Sequence, residues 1–179
     1  MLAYPLDEET ELKLLEPHHA PELFALIDRN REHLQAWLPF PAETRSVEDS
    51  RRFIEGRLRA LAQGRGLTVG LWHRGELAGL VGLRLYPYSR RGELGYWLGR
   101  EFQGKGLITR ACRAMIAYAF RELKLHRVEI HCASRNHRSR AVPERLGFRQ
   151  EAVLREACWT ARGLDDLVIY GLLAREWSE

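Results

Sequence analysis

Apolar and polar positions along the chain switch between a period near two and a period near 3.6, and each switch marks an element. Residues 11–15 read as a short strand. From 18 to 31, Ala20, Leu23, Phe24 and Ile27 recur at helical spacing, with Leu34 continuing the face beyond. Pro39 and Pro41 then interrupt regular structure. A second helix is expected over 47–62, with Ser46 as N-cap and Asp49 three residues later as its acidic partner. Strand patterns follow at 67–72, 77–85 and 93–98, the first two flanking the tight-turn run His73-Arg74-Gly75-Glu76. Connections this short predict antiparallel neighbours. After them a helix is expected over 107–123, with Ile108, Ala111, Cys112, Met115, Ile116, Ala119 and Phe120 on one broad face. A β-branched strand at 128–133, a short helix at about 139–146 closed by Gly147, and strands at 148–159 and 167–173 complete the chain. The order β-α-α-β-β-β-α-β-α-β-β predicts an α/β (α+β) domain with a mixed sheet.

Length sharpens this picture: 179 residues suit one domain, 1–179, and are too few for two of ordinary size. No apolar run is long enough to cross a bilayer, so no membrane partner is expected. Residues 1–11 are acidic and lack the basic-then-apolar pattern of a signal peptide, which favours a cytoplasmic location. The net charge of +4 favours anionic partners, among them coenzyme A, nucleotides and ribosomal RNA. Cys112, Cys132 and Cys158 form no CxxC pair and read as reduced thiols. The histidines show no HExxH or paired ligand spacing. His131 and Cys132 are adjacent on a strand and so face opposite sides. No metal is expected.

The most informative stretch runs from Gly95 through Gln103-Gly104-Lys105-Gly106 to Thr109, where a strand ends, a Gly-rich turn follows and a long helix begins. Glycines let backbone amides approach a ligand closely. The first helical turn adds unpaired N–H groups and a partial positive charge, an arrangement suited to phosphate or pyrophosphate. A P-loop reading fits Gly99 to Lys105, but Gly106 stands where a Ser or Thr must ligate magnesium. A plain connecting turn is the third reading.

The run Gln103-Gly104-Lys105-Gly106-Leu107-Ile108 resembles the pyrophosphate loop [QR]-x-x-G-x-[GA] of the GNAT acyltransferase superfamily. Ile108 departs from the final Gly or Ala, as is common in the ribosomal-protein N-acetyltransferase branch, where Thr often follows, as Thr109 does here. The resemblance extends to Glu93-Leu-Gly-Tyr-Trp-Leu98, to Asn136-x-x-Ser139 followed by Leu146-Gly147-Phe148, and to Asp166-Leu-Val-Ile-Tyr170. It spans about residues 10–177 in register.

That resemblance implies a mostly antiparallel sheet flanked by helices, in which a splayed parallel pair, 93–98 and 128–133, holds acetyl-CoA. Backbone groups near Trp97 and Leu98 would hold the pantetheine and thioester. The segment Gln103, Gly104, Lys105, Gly106, Leu107, Ile108 and Thr109 would hold the pyrophosphate, and Asn136 would contact the coenzyme or local backbone. Ser139 matches the position that protonates the departing thiolate. The relatives' base, a Glu on the strand after Leu-Gly-Phe, falls on Cys158 here. Glu93 is therefore taken as the catalytic carboxylate beside Ser139, with Glu151, Glu156 or a water chain as alternatives. Trp37 and Phe40 would line the acceptor pocket or simply pack the core. The implied reaction is acetyl transfer to an amine, with the N-terminus of a protein such as a ribosomal protein as first choice. A small amine or polyamine acceptor, and a non-catalytic module binding acetyl-CoA or RNA, remain open. Homodimers are common among such proteins.

Overall fold

The computed structural model describes residues 3–178. Eight strands form one sheet in the order β1-β2-β3-β4-β5-β6-β8-β7. They are β1 (Ala3–Asp7), β2 (Thr10–Leu14), β3 (Gly66–His73), β4 (Glu76–Tyr86), β5 (Arg91–Leu98), β6 (Arg127–Ala133), β7 (Arg149–Thr160) and β8 (Gly163–Leu173). The helices are α1 (Ala20–Arg29), α2 (Arg31–Gln35), α3 (Phe40–Glu43), α4 (Val47–Ala62), α5 (Leu107–Arg121) and α6 (His137–Arg145). Residues 77–81 of β4 are buried consecutively, so helices cover both faces of the sheet. α1 and α4 pack on β3 and β4, while α5 packs on β4, β5 and β6. The core joins Leu23, Leu26 and Ile54 from the first layer to Ala111, Met115 and Ile116 from the second, through Val69, Val81 and Leu94.

The helix over 47–62 has the expected bounds because its cap works: the Ser46 hydroxyl accepts from the Asp49 backbone N–H at 3.2 Å. Two expectations change. The start of the chain contributes β1, a bulged edge strand paired with β2, whose mostly exposed residues around Pro5 gave no alternation to read. The expected helix over 18–31 ends at Arg29 because Asn30 leaves helical geometry at φ −110° and ψ 12°. Its buried side chain serves other partners: Nδ2 donates to the Leu26 carbonyl at 3.1 Å, and Oδ1 accepts from the Arg100 N–H at 2.8 Å. Asn30 thereby ties α1 to the turn that precedes Gln103.

Every neighbouring strand pair is antiparallel except one. β5 and β6 run parallel and pair only at Arg91–Arg127, Gly92–Val128 and Glu93–Glu129. Beyond that point β5 stays bonded to β4 through Leu98, and β6 stays bonded to β8 through Ala133. The two strands diverge, leaving an opening in the middle of the sheet.

Candidate active site

The opening is part of a cavity of about 1250 Å³. Side-chain alternation gives it two distinct walls. Tyr96 of β5 and Cys132 of β6 point toward α6: the Tyr96 hydroxyl donates to the Ser139 carbonyl at 2.8 Å, and the Cys132 and Ser139 side chains lie 3.2 Å apart. Gly95 and Trp97 of β5, with His131 and Ala133 of β6, face the opposite wall. There Phe40 packs against Trp97 with ring centroids 5.7 Å apart, and Trp37 and Leu38 close the space. The β7–β8 hairpin reaches the same wall with Cys158, Trp159 and Thr160, and its Ala161 N–H donates to the Ala36 carbonyl at 3.3 Å.

At one end of the cavity lies the Gly-rich turn. Gly104 and Gly106 have φ of +78° and +69°, left-handed values that cost an L side chain about 1–2 kcal/mol. Gly106 is the N-cap of α5 and offers no side chain to its first-turn amides, which leaves them for a ligand. Gln103, Gly104, Gly106, Leu107, Ile108 and Thr109 line the cavity; Lys105 sits at its rim, with its ammonium 5.7 Å from the Phe102 ring centroid. Gln103 is fixed from both sides: its Nε2 lies 3.0 Å from His33 Nε2, and its Oε1 accepts from Arg138. Trp97 and Leu98 sit where β5 has lost its parallel partner, so their inward backbone groups have no strand opposite them.

Asn136 lines the cavity, and its Oδ1 accepts from the Ser139 N–H at 3.2 Å as the N-cap of α6. The cap holds Ser139 at the start of the helix, with its hydroxyl 3.4 Å from that of Tyr96. Burial keeps the Tyr96 phenol far above its ordinary pKa, and burial likewise raises Cys132, against the effect of its bonds to Ser139 and Tyr96. Ser139 therefore sits among neutral hydroxyl and thiol groups. Sequence reasoning missed Tyr96 and Cys132 in this cluster; the available signal was that both occupy the helix-facing register of their strands.

The expectation for Glu93 is corrected. Glu93 is not in the cavity wall; its Oε2 accepts from the Tyr86 hydroxyl at 2.9 Å, and Arg84 is its charged neighbour. Glu151 is held by Arg127, and Glu156 lies in an exposed bulge at φ +49°. Cys158 does line the cavity, but its thiol donates to the Asp165 carbonyl at 3.3 Å. Burial, then Asp165 and Asp166, raise its pKa, so it stays a thiol. Among the described residues no aspartate or glutamate lines the cavity, and no cluster of three or more His, Cys, Asp or Glu is placed to hold a metal.

Comparison with known proteins agrees with this geometry. The chain is 43% identical over 181 residues, 99% of its own length and 98% of the other, to "Putative ribosomal N-acetyltransferase YdaF" of Bacillus subtilis (strain 168). It is 31% identical to the ribosomal-protein-serine acetyltransferase of Escherichia coli (strain K12), with 92% of this chain and 93% of the relative covered. Among solved structures, RimL, a ribosomal L7/L12 alpha-N-protein acetyltransferase in complex with coenzyme A, superposes with a TM-score of 0.92 at 26% identity, covering 96% of this chain and 97% of that one. Residues 10–149 match the family described as acetyltransferase (GNAT) domain. With its splayed strands, glycine turn and helix start arranged around one cavity, the chain belongs to the GNAT family of acetyltransferases.

Proposed function

We propose that this enzyme transfers the acetyl group of acetyl-CoA to the N-terminal α-amine of a protein, with a ribosomal protein as the substrate class. The observation that carries the choice of acceptor is the absence of any carboxylate from the cavity lining among the described residues. A polyamine carries several charges and needs anionic partners once it leaves water. A wall of Trp37, Leu38, Trp97 and Trp159 offers none, but it suits a short extended peptide ending in one small residue. An α-amine is also the easier nucleophile, with an ordinary pKa of about 7.7–8.0 against about 10.4 for lysine. The names of the relatives support the ribosomal assignment.

On this reading the pantetheine threads the opening between β5 and β6 and bonds to their unpaired edges. The turn at 103–109 takes the pyrophosphate, where the dipole of α5 contributes about 0.3–2 kcal/mol. Ser139 delivers a proton to the departing thiolate. The test is release of free thiol from acetyl-CoA with N-terminal Ser and Ala peptides, lysine peptides and spermidine. Peptide α-amines are expected to turn over and spermidine to remain at background; faster turnover of spermidine would reverse the assignment. A cytoplasmic location suits such a substrate, and no helix among the described residues is long and apolar enough to cross a membrane. Homodimer formation is part of the proposal, and sedimentation velocity would separate a 20.8 kDa monomer from a species of twice that mass.

A further inference from the structure

With Glu93 bonded to Tyr86 outside the cavity lining and Cys158 held as a thiol, the wall that receives the amine lacks an evident proton acceptor. The geometry points to His131 as that acceptor, with Glu129 as its positioning residue. This rests on the acetyltransferase reading above.

His131 lies on β6, lines the cavity and is partly shielded, with 23% of its side chain exposed. Its Nε2 is 3.0 Å from Glu129 Oε2. Glu129 is buried, which opposes its ionisation, yet Arg127, His131 and Arg91 outweigh burial and hold its pKa below the usual carboxylate range. Arg91 donates to Oε2 at 2.6 Å and Arg127 to Oε1 at 2.8 Å. An ionised carboxylate only accepts hydrogen bonds, so Nε2 carries the proton and Nδ1 keeps its lone pair. Two arginines fix the carboxylate, the carboxylate fixes the ring, and the ring leaves one basic nitrogen unclaimed.

Placement strengthens the case. Cys132, the next residue, faces Ser139 across the opening, so His131 faces the other wall. A proton acceptor on the amine side and a proton donor on the sulfur side bracket the position of the thioester. The amine nitrogen attacks the thioester carbonyl carbon and forms the C–N bond. Its surplus proton passes to His131 Nδ1, directly or through one water. The C–S bond breaks with its electron pair going to sulfur, which takes a proton from the Ser139 hydroxyl. Solvent returns the proton from His131 to Ser139, leaving amide and free coenzyme A thiol in balance.

The experiment follows acceptor kcat/KM against pH for wild type, His131→Ala, His131→Gln and Glu129→Gln, with acetyl-CoA affinity by calorimetry for each. Glu129 is the group bonded to the ring, Arg127 and Arg91 bind that carboxylate, Glu93 is in register with Glu129, and Glu151 binds Arg127; Cys158 and His33 line the same cavity, and the register partner of His131 on β8 is Ile169. His131→Ala is expected to lower kcat/KM about 10²-fold, the usual size of a general-base effect. It should abolish the acid limb that depends on the imidazole, leave acetyl-CoA affinity unchanged and recover part of its rate with added imidazole. Glu129→Gln should lower the rate less than His131→Ala and alter the pH profile while acetyl-CoA affinity is kept. Should the alanine variant melt, His131→Gln preserves size and a hydrogen bond without the base. A glutamine variant as active as wild type, or a profile unchanged by either substitution, would overturn the role. Wild-type silence toward every amine would instead remove the acetyltransferase reading, and this role with it.

Discussion

The residues to which the proposal assigns the chemistry owe their properties to what holds them. Ser139 is set by the Asn136 cap and by Tyr96 and Cys132, all neutral, so its hydroxyl proton has no competing carboxylate. Replacement by alanine is expected to lower kcat about 10²-fold, the scale of a lost general acid, with acetyl-CoA affinity intact. Parallel thiol-release and calorimetric titrations check both halves. Cys158→Ser should cost little in the same assay, because a thiol whose pKa is raised takes up no proton at neutral pH. Of these residues, Ser139 and Asn136 were legible in the sequence as a spaced motif. Glu93 was misplaced because strand position alone does not say which partner claims a carboxylate; here Tyr86, seven residues away across the β4–β5 turn, claims it. His131 was passed over as a strand histidine, since its meaning depends on Glu129 and on Arg91 from a different strand.

At the scale of elements, the sequence was most readable where local chemistry decides the outcome. α4 begins where the Ser46 cap says it should, and the Asp49 carboxylate accepts from the Ser46 hydroxyl and from Arg52. Those bonds, led by Ser46, lower Asp49 to about 2 from 3.8. A depressed folded-state value means a stabilising contribution present above about pH 4 and lost as pH falls through about 2. Loss of the N-cap in Ser46→Ala should by itself cost about 0.5–2 kcal/mol at neutral pH. The gap between variant and wild type in denaturant midpoints should narrow as pH falls through about 2, where the carboxylate takes up its proton. The elements misread were those governed by distant partners. Asn30 ends α1 because Arg100 and Glu101, some seventy residues on, bind its side chain. The long strand at 149–160 contains a bulge between Leu154 and Cys158, which apolar alternation does not announce.

For the whole molecule, the decisive feature is a sheet that is continuous at one end of its central pair and open at the other. The parallel pair followed from the family resemblance, whereas the order of the eight strands and the extent of the divergence are properties of the assembled sheet. Three register pairs hold β5 to β6, and residues 94–98 and 130–133 face a gap. Acetyl-CoA filling that gap should slow amide hydrogen exchange along both inner edges, with β3 and β4 unchanged. A ligand at 100 times its Kd should raise stability by about 2.7 kcal/mol. Exchange mass spectrometry with and without the ligand reads the first effect directly; equal protection in both states would place the coenzyme elsewhere.

The glycine turn and the parted strands have one more effect on how such an enzyme behaves. On the proposed placement, the groups they present meet the phosphates and the pantetheine amides, parts that the loaded carrier and the spent one share. Only the small space near Ser139 and His131 distinguishes them. A groove so used would grip product nearly as firmly as substrate, and the enzyme's working rate would then follow the ratio of acetylated to free coenzyme around it more than the amount of either.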